Sequence, residues 1–152
     1  MKTIGLIGGM SWESTAVYYR LINEAVRRQR GGLHSAEIAM RSLDFVSVVE
    51  LQKAGRWDEA GKLLGEAGAG LARSGAACVL ICTNTMHLVA DPVAAMSGVP
   101  LIDIIDETAR ALRADVPGPC ALGHLWRSLH GQLPPLRRRP APVHAQWPDR
   151  RL

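Results

Sequence analysis

The sequence predicts an α/β protein built on a doubly wound parallel sheet flanked by helices. Three observations predict it. Short apolar runs at residues 2–8 and 76–82 read as buried strands, and residues 99–104 as another strand. Helical patterns lie between them, so the order is β-α-β-α-β-α-β-α, which calls for parallel strands with crossover helices. Glycines and hydroxyl side chains gather where the first and third strands end, the edge at which such sheets bind ligands.

Each element has its own signal. Residues 2–8 end in Gly8-Gly9, and Ser11 is placed to cap a helix from Trp12 to Arg30. That helix is expected to carry Val17, Leu21, Ile22 and Ala25 on one face, and Gly31-Gly32 stops it. Residues 35–43 read as a second strand. Helices follow over 44–53, capped near Asp44, and over 57–74, with Gly55 between them. Gly68, Gly70 and Gly75 weaken the second of these and suggest close packing or fraying. Ala76-Ala77-Cys78-Val79-Leu80-Ile81-Cys82 is the clearest buried strand. A short helix over 92–96, a strand over 99–104 and a helix over 104–114 complete the series.

Composition excludes several function classes. The longest apolar runs are too short to span a bilayer. Cys78, Cys82 and Cys120 have neither disulfide-framework nor zinc-ligand spacing, so no metal site is expected. The N-terminal residues show no signal-peptide pattern. A soluble, reduced, cytoplasmic protein is the expectation. The net charge of +4 suggests nucleic-acid binding only until it is divided along the chain. Residues 117–152 hold six arginines against one aspartate, whereas residues 1–116 hold 12 basic and 13 acidic residues. The basic charge belongs to the tail alone, so no nucleic-acid partner is expected, and no membrane either.

Two strand ends can carry chemistry. In Gly8-Gly9-Met10-Ser11-Trp12-Glu13-Ser14-Thr15, glycines lead into a helix start, where backbone N–H groups and the helix dipole favour an anion. The glycines fall at 5, 8 and 9, which is not the dinucleotide fingerprint, and no Lys-Ser/Thr pair makes a phosphate loop. A tight turn that only lets a helix pack on a strand explains the same spacing. In Cys82-Thr83-Asn84-Thr85-Met86-His87, amide and hydroxyl groups able to hold a carboxylate or move a proton follow a buried strand. A helix cap by Thr83 or Asn84, with Cys82 as a small core residue, is the alternative. His87 has no partner at metal-ligand spacing and reads as a helix residue near the site.

Residues 1–15, Gly31-Gly32-Leu33-His34-Ser35-Ala36 and Cys82-Thr83-Asn84-Thr85-Met86-His87 together resemble bacterial aspartate/glutamate racemases. The resemblance runs to about residue 116. It implies a cofactor-independent amino-acid racemase of two similar α/β domains, each supplying one proton-transfer group to Cα of a substrate held between them. It places the first of these roles on the residue before Asn-Thr. This is cysteine in most members and Thr83 here, while Cys82, one place earlier, is expected to point the other way along the strand. Asn84 and Thr85 would hold the α-carboxylate, Met10 and Ser11 would line the site through their backbone, and Gln52 would meet the side-chain carboxylate. Aspartate or glutamate is the implied substrate, with one enantiomer favoured, and a homodimer is the implied assembly.

The resemblance also marks a departure. The second proton-transfer cysteine of the family sits in a Gly-Cys-Thr-Glu motif, and this sequence has none. Residues 1–116 are therefore expected to be the first domain of a normally two-domain racemase. Seven of the nine prolines lie in residues 117–152, which are expected to be a disordered or frameshifted tail. A racemase-like continuation in another reading frame of the DNA would show the frameshift; a short domain with a basic tail is the alternative. The functional expectations are an impaired racemase or, alternatively, a non-catalytic carboxylate-binding domain.

Overall fold

The computed structural model describes residues 1–115; the expectations for the tail lie outside the described residues. Three parallel strands, β1 (Thr3–Gly8), β2 (Ile38–Ser42) and β3 (Ala76–Ile81), form one sheet in the order β2-β1-β3. Helix α1 (Trp12–Arg30) follows β1, while α2 (Phe45–Lys53) and α3 (Trp57–Arg73) follow β2. A 3-10 turn (Thr85–Val89), α4 (Ala90–Ser97) and α5 (Ile104–Asp115) follow β3. The α/β class and its parallel sheet flanked by helices are as the sequence predicts. No helix among the described residues is long and apolar enough to cross a membrane.

The sheet order follows from burial. β1 is apolar toward both faces and takes the centre, with Leu6 and Ile7 fully buried. β2 carries Met40, Arg41 and Ser42 exposed, which only an edge strand tolerates. Alternation puts Ile7, Val79 and Ile81 on one face, where they join a core cluster with Ala60, Leu64 and Leu71 of α3 and Val93 of α4. α3 lies close to α4 because Gly61, Gly65 and Gly68 leave room for Pro92, Met96 and Ser97. Gly68 thus serves close packing rather than fraying.

Two expectations need correction. The strand over 99–104 is reduced to a single bridge, Val79 with Leu101. The Val79 N–H donates to Pro100 O at 2.9 Å, and the Ile102 N–H donates to Val79 O at 2.9 Å. Pro100 has no N–H for the ladder, and the Asp103 carboxylate accepts from Ile105 N at 2.8 Å, which starts α5 at once. The inward face of α1 is also different. Ile22 and Ala25 are half-buried, but Val17 and Leu21 are exposed, and Thr15 is the buried residue of the helix. Two hydrogen bonds draw Thr15 into the turn after β1 and so set the rotation of α1.

Candidate functional site

The carboxyl ends of the three strands are tied together by backbone hydrogen bonds. The Cys82 N–H donates to Ile7 O at 2.9 Å, bringing the segment after β3 beside the segment after β1. The Leu43 N–H donates to Gly8 O at 2.9 Å, which brings in the chain leaving β2. From there the Asp44 carboxylate caps α2 by accepting from Val46 N at 3.3 Å. α2 then carries Gln52 to the third segment, where its amide donates to the Met86 sulfur at 2.9 Å. Met10, Ser11, Gln52, Thr83, Asn84 and Thr85 therefore come from segments that meet at one edge of the sheet.

The turn after β1 is built around Thr15. Gly9 has φ +90° and is buried, and its N–H donates to Thr15 Oγ1 at 3.0 Å. The same hydroxyl donates to Ser11 O at 3.1 Å. The Gly9 amide is thus committed within the protein and is not offered to an anion. Ser11 occupies the N-cap position, but its side chain makes no capping bond. Met10 is 2% exposed and its side chain belongs to the core, so only its backbone can face a ligand. A Thr15→Val substitution keeps the shape and removes the acceptor for a buried N–H. It is expected to cost about 1–3 kcal/mol in urea unfolding; an unchanged midpoint would contradict this account of the turn.

Just after β3, burial separates two neighbouring nucleophiles. Cys82 is fully buried, whereas Thr83 and Thr85 are half-buried and Asn84 is exposed. Burial pushes the Cys82 thiol up to about 12, so it stays protonated and unreactive near neutral pH. The native state keeps this proton while the unfolded chain, with an ordinary thiol, releases it from about pH 9 upward. The stabilisation is complete below that pH and is lost as the pH climbs toward about 12. It amounts to roughly 4 kcal/mol at most. Urea midpoints at pH ~8 and ~11 are expected to fall further for the wild type than for Cys82→Ala. Equal falls would contradict a buried, neutral thiol.

Near the site, Asp103 and Tyr18 escape sequence reading, whereas His87 is expected there. Asp103 is 6% exposed and His87 is 3% exposed, with His87 Nε2 and Asp103 Oδ1 3.9 Å apart. Burial first, and then the nearby Asp103 carboxylate, raise the pKa of the Tyr18 hydroxyl of α1 above its ordinary value. Only the Asp before an apolar helix start hinted at Asp103; nothing hinted at Tyr18. Among the described residues, no group of three or more His, Cys, Asp or Glu side chains is placed to hold a metal ion.

Comparison with known proteins agrees with this architecture. The family model described as Asp/Glu/Hydantoin racemase matches residues 7–122. Among solved structures, a Yersinia pestis protein assigned as an Asp/Glu racemase is 50% identical, with a TM-score of 0.74. The match covers 76% of this chain and 50% of that one. An aspartate racemase homologue from Pyrococcus horikoshii OT3 is 32% identical, with a TM-score of 0.66 and the same two coverages. The chain spans about half the length of the solved structures it matches.

Proposed function

Because the chain belongs to the Asp/Glu/Hydantoin racemase family, we propose that its strand-end site carries one half of a racemisation at Cα of aspartate or glutamate. The single observation that supports this most strongly is the separation of Cys82 from Thr83. The thiol is buried and neutral, while the hydroxyl next to it stands half-buried beside Asn84 and Thr85, at the meeting point of three strand ends.

The chemistry sets demanding requirements. A Cα–H beside an ionised carboxylate is a very weak acid, so the developing negative charge needs fixed donors and the proton-transfer group must lie in line with Cα. In this proposal the Asn84 amide, the Thr85 hydroxyl and the backbone at Met10 and Ser11 hold the α-carboxylate. Gln52 turns from the Met86 sulfur to the side-chain carboxylate. Thr83 is the proton relay: as the Cα–H bond breaks, its oxygen takes that proton and passes its own to solvent. In the reverse direction it gives its proton to the planar carbanion while its oxygen takes another from solvent. A hydroxyl gives a proton to a carbanion more readily than it takes one from carbon, so one enantiomer is favoured. Side chains and backbone suffice, without a cofactor.

The opposite face of Cα needs a second proton-transfer group from outside residues 1–115, which the resemblance places in a second domain. A homodimer and a cytoplasmic setting belong to the same proposal. The exposed Trp12, Phe45 and Val46 at the helix starts support the first, and two buried free thiols, Cys78 and Cys82, support the second. The test is incubation of the purified chain with L-aspartate and L-glutamate in D₂O. Loss of the Cα–H signal is expected. Amino-acid binding without that loss would favour the carboxylate-binding alternative.

A further inference from the structure

His87 is buried beneath the site, and its ring reaches back along its own turn. Its side chain has no exposed surface. Nδ1 lies 2.8 Å from the Thr83 carbonyl oxygen and 3.3 Å from that of Asn84. Both neighbours only accept, so the hydrogen of this nitrogen is fixed by geometry: Nδ1–H donates. The backbone N–H of His87 adds a bond to Asn84 O at 3.1 Å. One residue thus grips the carbonyls of two consecutive residues, and these are the two whose side chains the proposed chemistry uses. Nε2, the other ring nitrogen, is buried without a hydrogen-bond partner and sits 3.9 Å from Asp103 Oδ1, at the start of α5.

A buried polar nitrogen without a partner costs about 1–3 kcal/mol. An apolar side chain of similar size would fill the same space without that cost, so packing alone does not explain a histidine here. The ring's productive contact is the one through Nδ1. Thr83 leaves the sheet just where its backbone stops being held by the ladder, since β3 ends at Ile81. Without a donor on its carbonyl, the Thr83–Asn84 peptide can rotate and carry both side chains with it.

We propose that His87 is a positioning residue, which through Nδ1–H on the Thr83 carbonyl fixes the direction in which the Thr83 hydroxyl and the Asn84 amide face substrate. This inference rests on the racemase reading of the same site for its kinetic consequence, but not for its structural one. Two variants separate donor position from mere occupancy. In His87→Asn the side-chain amide nitrogen falls near the place of Nδ1, whereas in His87→Gln it falls near Nε2. The full chain is used, labelled with ¹³C and ¹⁵N.

Long-range ¹H–¹⁵N correlations of the wild-type ring are expected to show the hydrogen on Nδ1, and the Thr83 carbonyl resonance is expected to stay in place in His87→Asn and to move in His87→Gln. The kcat/KM for Cα–H exchange of aspartate or glutamate is expected to fall by roughly 10- to 100-fold in His87→Gln, with most of it restored in His87→Asn. A ring protonated only at Nε2, or a Thr83 carbonyl that moves equally in both variants, would overturn the proposal. If the wild type exchanges no Cα–H, the racemase reading fails, and the carbonyl resonance still decides the role of His87.

Discussion

Gly9→Ala is expected to prevent the chain from folding into a soluble domain. Gly9 has φ +90°, a region that L side chains rarely adopt. A Cβ there would stand 2.1 Å from Leu43 O and 2.6 Å from Leu43 N. Both are backbone atoms of the segment leaving β2, and that segment is anchored by the hydrogen bond from Leu43 N to Gly8 O. No rotamer change relieves such a contact; the end of β2 must move off the end of β1. The cost is expected to exceed about 4 kcal/mol, the range in which single substitutions unfold a domain of ordinary stability. Gly55→Ala is the matched control. Gly55 has φ +67°, yet a Cβ there would meet nothing within 4 Å. Only the left-handed backbone is penalised, at about 1–2 kcal/mol. Soluble yield and urea midpoints of the two variants compare the terms directly. Similar losses would mean that the two strand ends do not approach as described.

The architecture was legible in the sequence wherever a pattern is local. β1 and β3 show as apolar runs, and the breaks at Gly31 and Gly55 have the positive φ that favours glycine, 75° and 67°. The burial contrast between Cys82 and Thr83 matches the expected opposite facing, although both lie just past the end of β3. The features that were missed depend on contacts between distant segments. Periodicity finds the apolar positions of α1 but not its rotation, which the Thr15 hydroxyl sets by bonding to Gly9 and Ser11. A run of apolar residues at 99–104 cannot reveal that Pro100 and the capping Asp103 leave only one bridge between them. In the site, Asp103 acts on Tyr18 only once the fold brings α1 and the chain before α5 together. The inward reach of the His87 ring was likewise hidden, since it depends on how the short 3-10 turn packs, which no local pattern shows.

Thr83 carries the largest functional expectation. A positioned proton-transfer side chain contributes about 10²- to 10⁴-fold to such a reaction, so Thr83→Ala is expected to lower Cα–H exchange by at least ~100-fold. Thr83→Ser keeps the hydroxyl, though it lacks the methyl group that fixes its rotamer, and is expected to retain measurable exchange. Cys82→Ala, which removes a buried and neutral thiol, is expected to leave the exchange rate within a few-fold of wild type while lowering stability. The most direct measurement is proton NMR of the full chain with L-aspartate or L-glutamate in D₂O, comparing wild type with Thr83→Ala under conditions where both are folded. The account predicts that the Cα–H signal decays with the wild type and persists with Thr83→Ala. Equal decay with both proteins, or none with either, would contradict the assignment of proton transfer to Thr83.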